Sequence, residues 1–157
     1  MKKLKRGWDK STSGQFVQIT YTMAQSEAWR SLSGPAVKVY VELHRRFHVK
    51  GPKKRGMQPS NNGEISISLE EAKALLHMGK TTAFRALAEL EDKGFIVKTK
   101  EGHFYGRMAA EYAVTDRPLA GGTQLPTNAW QHWRRPGKKQ NAVPTRNVDG
   151  PDAEHID

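Results

Sequence analysis

Between residues 16 and 116 hydrophobic positions recur with two different periods, and each change of period marks a predicted element. Phe16 to Tyr21 alternates loosely and leads into a short amphipathic segment, Met23 to Leu32, whose Met23, Ala28 and Trp29 are expected to face inward. Ser33-Gly34-Pro35 reads as a helix start, with serine as N-cap and proline in the first turn, where a missing N–H costs nothing. Val37, Tyr40, Val41, His44 and Phe47 follow at helical spacing and predict a core-facing stripe. On such a stripe His44 is expected to be a hydrogen-bonded buried residue rather than a metal ligand.

Gly63 to Ser68 alternates apolar and polar for a short strand, and Ser68 with Glu71 has the S-x-x-E form of a capping box. A helix should therefore begin at Leu69, burying Leu69, Ala72, Leu75 and Leu76. The pattern resets at His77-Met78-Gly79, with His77 in a left-handed turn and Gly79 as cap. A second helix runs from Lys80 to Lys93, with Ala83, Leu87 and Leu90 inward and Gly94 as its stop. Phe95 to Lys100 is strand-like, Glu101-Gly102 supplies a turn, and His103 to Tyr105 with Ala110 to Thr115 returns antiparallel. Helices and a small sheet in this order predict an α+β domain.

Composition adds a partner class. Lysine and arginine number 26 against 16 acids, giving a net charge of +10, so a polyanion is favoured. Basic residues fall in blocks: at Lys2, Lys3, Lys5 and Arg6, from Arg45 to Arg55, and between Arg117 and Arg146. Apolar residues are only 36% of the chain, so residues 1–15 read as a disordered basic arm and 119–157 as a disordered tail around a folded domain at 16–118. Cysteine is absent, which excludes disulfides and thiolate chemistry; His44 and His48 at i, i+4 lack a third ligand, so no metal and no cofactor are expected. No P-loop, G-x-S-x-G or H-E-x-x-H occurs, and a non-enzymatic protein is expected. No run approaches the roughly 18 apolar residues of a membrane span, and the basic N-terminus lacks the apolar stretch of a signal peptide, so a cytoplasmic, nucleoid-associated location is expected.

Residues 68–96, SLEEAKALLHMGKTTAFRALAELEDKGFI, resemble the helix-turn-helix of bacterial winged-helix transcription regulators and of plasmid or phage replication-initiator domains. The shared features are the capped first helix, Leu-Leu before the turn, Lys-Thr-Thr opening the second helix, and the Gly-Phe-Ile exit into a hairpin wing. The longer run from Phe16 to Pro118, together with the tail, is similar to small helix-turn-helix proteins of proteobacterial mobile elements. The resemblance implies a winged helix-turn-helix domain that binds double-stranded DNA by placing the second helix in the major groove. Lys80, Thr81, Thr82, Arg85 and Glu89 are then candidates for base contact, Arg85 first among them because a guanidinium suits guanine O6 and N7. Ser66, Ser68, Lys98, Lys100 and His103, with Lys53, Lys54 and Arg55 in the preceding loop, are candidates for the phosphate backbone. Phe84 departs from the pattern, which usually has a polar residue there; core packing, a dimer contact and a thymine methyl all remain open for it.

The tail carries Trp130 and Trp133 at i, i+3 beside Arg134 and Arg135. Two large aromatics can anchor it on a partner protein, fold it back onto its own domain, or stack on single-stranded bases. The alternatives to duplex DNA binding are therefore a protein-interaction adaptor and an RNA or single-strand binder. No dimerisation helix follows Thr115, so a monomer or weak homodimer is expected.

Overall fold

A computed structural model describes residues 16–52, 55, 59–103, 105–120 and 125–137. The predicted arm, Lys53, Lys54 and the chain beyond 137 lie outside the described residues. The rest is an α+β unit whose small sheet and five helices share one core.

The segment read as one amphipathic stretch is two short helices, α1 (Tyr21–Gln25) and α2 (Glu27–Arg30). Ser26 separates them: its extended backbone stops α1, while its hydroxyl donates to the Met23 carbonyl (2.7 Å) and accepts from the Trp29 N–H (3.1 Å). Helix α3 (Gly34–Arg46) starts at the Ser33 cap as expected, with the Ala36 N–H donating to Ser33 Oγ at 3.3 Å. Its buried face, however, is Ala36, Val39, Tyr40, Leu43 and His44, and Val41 is 37% exposed. The two candidate stripes share Tyr40 and His44 and differ by a small rotation; helix periodicity cannot choose between them. Packing against the fifth helix, whose facing side presents Ala83 and Ala86, favours the stripe containing Ala36.

Strand β1 (Ile65–Ser66) leads into α4 (Leu69–Leu76) and α5 (Lys80–Asp92), followed by β2 (Ile96–Lys100) and β3 (Glu111–Val114). The sheet is antiparallel in the order β1-β3-β2, with Ile65 opposite Tyr112 and Ile96 opposite Val114. A bulge between Lys98 and Lys100 lets the β2–β3 hairpin continue past the strands. His103 and Met108 still pair, so the turn lies at residues 105–107, not at Glu101-Gly102 as expected from sequence. Of the α4 stripe only Ala72 is fully buried; Leu75 is 53% exposed, because this eight-residue helix is the outermost layer, against α5 and one end of α3.

The chief departure is at the C-terminal side. Trp130, expected in a disordered tail, is only 3% exposed and sits in a single 3₁₀ turn (Ala129–Gln131) packed into the core. Its indole stacks on Phe95, with ring centroids 6.3 Å apart and planes within 5°. Trp29 and Tyr40 meet the same Phe95 ring edge-on at 5.9 and 5.4 Å. The segment is held by the backbone as well, the Asn128 N–H donating to the Thr115 carbonyl at 2.9 Å. Gly94 makes room for it: its φ of +80° ends α5, and a Cβ there would lie 2.7 Å from the backbone of Ala129 and Trp130.

These contacts make residues 125–137 part of the folding unit. Truncating a buried tryptophan costs about 3 to 5 kcal/mol, so Trp130→Ala should lower the midpoint of thermal unfolding by roughly 10 °C or more. Gly94→Ala adds a clash to the about 1 to 2 kcal/mol of a left-handed L-residue and should act in the same direction. Circular dichroism melts that leave both variants at the wild-type midpoint would refute the docking of this segment.

Candidate nucleic-acid interface

The pair α4–α5 is built by local rules that the sequence states openly. Ser68 Oγ accepts from the Glu71 N–H (3.0 Å) and Glu71 Oε2 accepts from the Ser68 N–H (2.8 Å), which closes the capping box. The hydrogen bond from the Ser68 backbone, with Arg46 alongside, holds the Glu71 carboxyl below its ordinary pKa against the opposing effect of burial. Arg46 fixes this corner to α3: its guanidinium donates to the Ser66 carbonyl (2.8 Å), to Glu42 (2.9 Å) and to Glu71 (3.3 Å). The left-handed His77 (φ 52°, ψ 45°) reverses the chain, and Gly79 caps α5 without a side-chain bond.

Ala83, Ala86, Leu87 and Leu90 bury one side of α5. Thr81, Phe84, Arg85 and Ala88 form the opposite, exposed stripe at i, i+3, i+4 and i+7. Thr82 is exposed on the flank. Arg85 makes no ion pair or hydrogen bond among the described residues, whereas Lys80 is paired with Glu70 of α4. Phe84 is 64% exposed, which eliminates the core role left open for it.

Glu89 is a correction. Expected among the base contacts, it is instead turned to the start of α3, where its carboxylate accepts from the Ser33 N–H (2.9 Å), the Ser33 hydroxyl (2.6 Å) and Lys93 (2.9 Å). Burial raises the Glu89 pKa, but these donors outweigh it and hold the carboxyl below the ordinary value. The reason is angular: Glu89 sits at the edge of the exposed arc, next to the flank that packs on α3.

Ser66 and Ser68 are half-buried; the Ser68 oxygen is taken by the capping box, so at most its proton remains for a phosphate. On the hairpin Lys98 and Lys100 lie near Glu101 (3.5 Å) and Glu111 (3.4 Å), exposed pairs that hold little energy against a competing phosphate. His103 is exposed beside the turn. The displaced turn adds Arg107, missed in the sequence, exposed at the tip with φ 49° and without an ion pair among the described residues. Gly106, a turn residue midway between the two halves of the hairpin, is the signal that would have placed it there. Arg55 is exposed, also with φ near 50°.

The tail residues are not a free recognition motif. Trp133 is half-buried under the Lys93 ammonium, 5.1 Å from the ring centroid, and the Arg135 N–H donates to Glu27 (3.1 Å). The Arg134 guanidinium donates to the Gln131 and Trp133 carbonyls, both at 2.8 Å. The cause is Trp130: once its indole enters the core, its neighbours within one turn are drawn to the surface of α2 and α5.

Elsewhere, His44 Nε2 lies 2.9 Å from Tyr40 Oη and 3.0 Å from Asp116 Oδ1. Burial, reinforced by the Asp116 charge, pushes the Tyr40 phenol far up, so this buried set is a structural anchor for the end of β3. A cleft of about 330 Å³ beside it is lined by Gln18, Thr20, Asp116, Arg117 and Trp130 among others, without a nucleophile–base pair. Among the described residues no three His, Asp or Glu side chains are grouped to hold a metal, and no helix is long and apolar enough to cross a membrane. Comparison with protein-family models, with curated proteins and with solved structures gave no match.

The Glu89 joint carries a pH signature. Its folded pKa is depressed, so its stabilisation is full above the ordinary carboxylate pKa and is lost as pH falls through the lower folded value. Glu89→Gln should cost on the order of 1 kcal/mol in urea unfolding near pH 7, with the difference from wild type shrinking below about pH 4.5. An equal difference at both ends of that range would contradict the assignment.

Proposed function

We propose that the chain is a winged helix-turn-helix protein that binds double-stranded DNA sequence-specifically, and that it serves as a transcriptional regulator or a replication-associated factor of a mobile element. The α+β arrangement with sheet order β1-β3-β2 is compatible with that fold. In this reading α5 enters the major groove, α4 lies across the phosphates and the β2–β3 hairpin is the wing. The observation that carries it is Arg85: an exposed guanidinium in the middle of the outer stripe of α5, without an ion pair or hydrogen bond among the described residues, with the +10 net charge of the chain behind it. Thr81, Thr82 and Lys80 surround it as further donors, and Ser66, Ser68, Lys98, Lys100, His103, Arg107 and Arg55 supply backbone contacts. Lys53 and Lys54 directly precede Arg55 in the sequence and are proposed for the same task. The protein acts without a cofactor and without catalysis, as a cytoplasmic monomer or weak dimer on the nucleoid.

The adaptor and single-strand readings leaned on Trp130 and Trp133 as free aromatics. Trp130 is enclosed and Trp133 is half-covered beneath Lys93, which takes support from both readings.

In vitro selection from random duplex DNA should return a common site. With about six phosphates neutralised, affinity for that site should fall around a thousandfold between roughly 50 and 200 mM salt. Arg85→Ala should weaken it by about 1 to 3 kcal/mol while lowering the salt slope by no more than about one. Tighter binding to unpaired strands, or binding indifferent to salt, would refute the proposal.

A further inference from the structure

Resting on the DNA-binding reading, we infer that Phe84 is a specificity-determining residue that reads the C5-methyl group of a pyrimidine, thymine or 5-methylcytosine, in the major groove. An exposed phenylalanine is disfavoured in water, yet Phe84 is 64% exposed on a helix whose other uncovered positions in that stripe are Thr81, Arg85 and Ala88. The surroundings distinguish the possible covers. A stable protein interface needs a contiguous apolar centre of many residues. Here the same helix carries the exposed Lys80, paired with Glu70, one turn before Phe84, and the exposed acids Glu91 and Asp92 two turns after it; a second copy laid along the helix would bury one ring at the cost of several charges.

A major groove offers the complementary mixture. Its floor carries isolated methyl groups at C5 of thymine between hydrogen-bonding edges, and its walls are phosphates. Arg85, adjacent in sequence and on the same stripe, can donate to a guanine edge while the Phe84 ring covers a neighbouring methyl. Ala88, one turn further on, has no side chain long enough to hold the helix off the groove floor. Thr81, one turn before, places a hydroxyl and a methyl on the same face. Among the described residues the Phe84 ring lies outside the core cluster and outside the residues packed against it.

The test uses the full chain and the site returned by selection from random duplex DNA, measured by fluorescence anisotropy. Replacing thymines one at a time by deoxyuridine removes a methyl and leaves every hydrogen-bonding group. At one or two positions wild type should lose roughly fourfold in affinity, the ~0.8 kcal/mol of one buried methyl carbon. Phe84→Ala should abolish that penalty and Phe84→Leu should keep part of it. A second arm places cytosine or 5-methylcytosine at the sensitive position: recovery of affinity with 5-methylcytosine makes the methyl group itself the determinant, and selection from CpG-methylated DNA then tells whether thymine or 5-methylcytosine is the natural source. Indifference of wild type to every deoxyuridine, or a penalty that persists in Phe84→Ala, overturns the inference while leaving DNA binding intact. A Phe84→Ala change in oligomeric state by light scattering, with the deoxyuridine penalty unchanged, overturns it in favour of self-association. Absence of any selected site for wild type overturns the DNA-binding reading and this inference with it.

Discussion

Phe95 occupies the point where five segments of the chain converge. Its ring is stacked by Trp130 and met edge-on by Trp29 and Tyr40, which themselves touch at 5.6 Å. Each such ring removes about 150 to 250 Å² from water, so this cluster supplies a large part of the apolar burial in a unit with a small sheet and short helices. Its position is not free, because Phe95 directly follows the left-handed Gly94 that ends α5. The last turn of α5, the start of β2, helices α2 and α3 and the C-terminal segment therefore share one constraint. Thr115 closes it with hydrogen bonds: its hydroxyl donates to the Gly94 carbonyl at 2.7 Å and its N–H to the Phe95 carbonyl at 3.0 Å.

A polar knot does the same on the other edge of β3. Asn62 is buried, and its side chain both accepts from the Val114 N–H (2.7 Å) and donates to the carbonyls of Val114, Arg117 and Pro118 at about 3 Å. A buried amide with both ends engaged fixes where the loop before β1 meets the chain after β3, since leaving either end unpaired costs about 1 to 3 kcal/mol. The knot and the aromatic cluster meet the same end of β3, at Val114 and Thr115, the knot from the β1 side and the cluster from the β2 side. Between them they set the hairpin against α5, which is the geometry on which any groove-reading role depends.

What was legible in the sequence was whatever local chemistry determines. The Ser33 cap, the Ser68–Glu71 box, left-handed His77 and the Gly94 stop all lie within one turn of the residues they act on, and all are found in place. The face of α3, the burial of Leu75 and the place of the hairpin turn depend instead on what packs opposite, and there the expectations failed. Trp130 is the clearest case. Its neighbours are proline, threonine, asparagine and arginine, so composition argues for an unstructured tail, and the space awaiting it exists only because a glycine 36 positions earlier lacks a side chain. Glu89 failed by a few tens of degrees of helix rotation, less than a helical wheel resolves without knowing the neighbour.

The same packing defines the candidate site by subtraction. Lys93 and Glu89 hold α5 to α2 and α3, the acidic pair Glu70 and Glu71 ties α4 to Lys80 and Arg46, and the apolar side of α5 is in the core. After these roles are filled, Thr81, Phe84, Arg85 and Ala88 are left exposed and outside the core cluster of the described residues. Substitutions on that stripe change little in the folding free energy, because exposed helix positions away from caps and packing contribute within about 0.5 kcal/mol. A surface with that property is free to vary with its ligand: its residues can be exchanged to recognise a different partner without loss of the scaffold. The combination of a rigidly oriented helix and an outer stripe outside the packing contacts is what the proposed groove recognition requires, and an arginine beside a phenylalanine there is available to it at little cost to the fold.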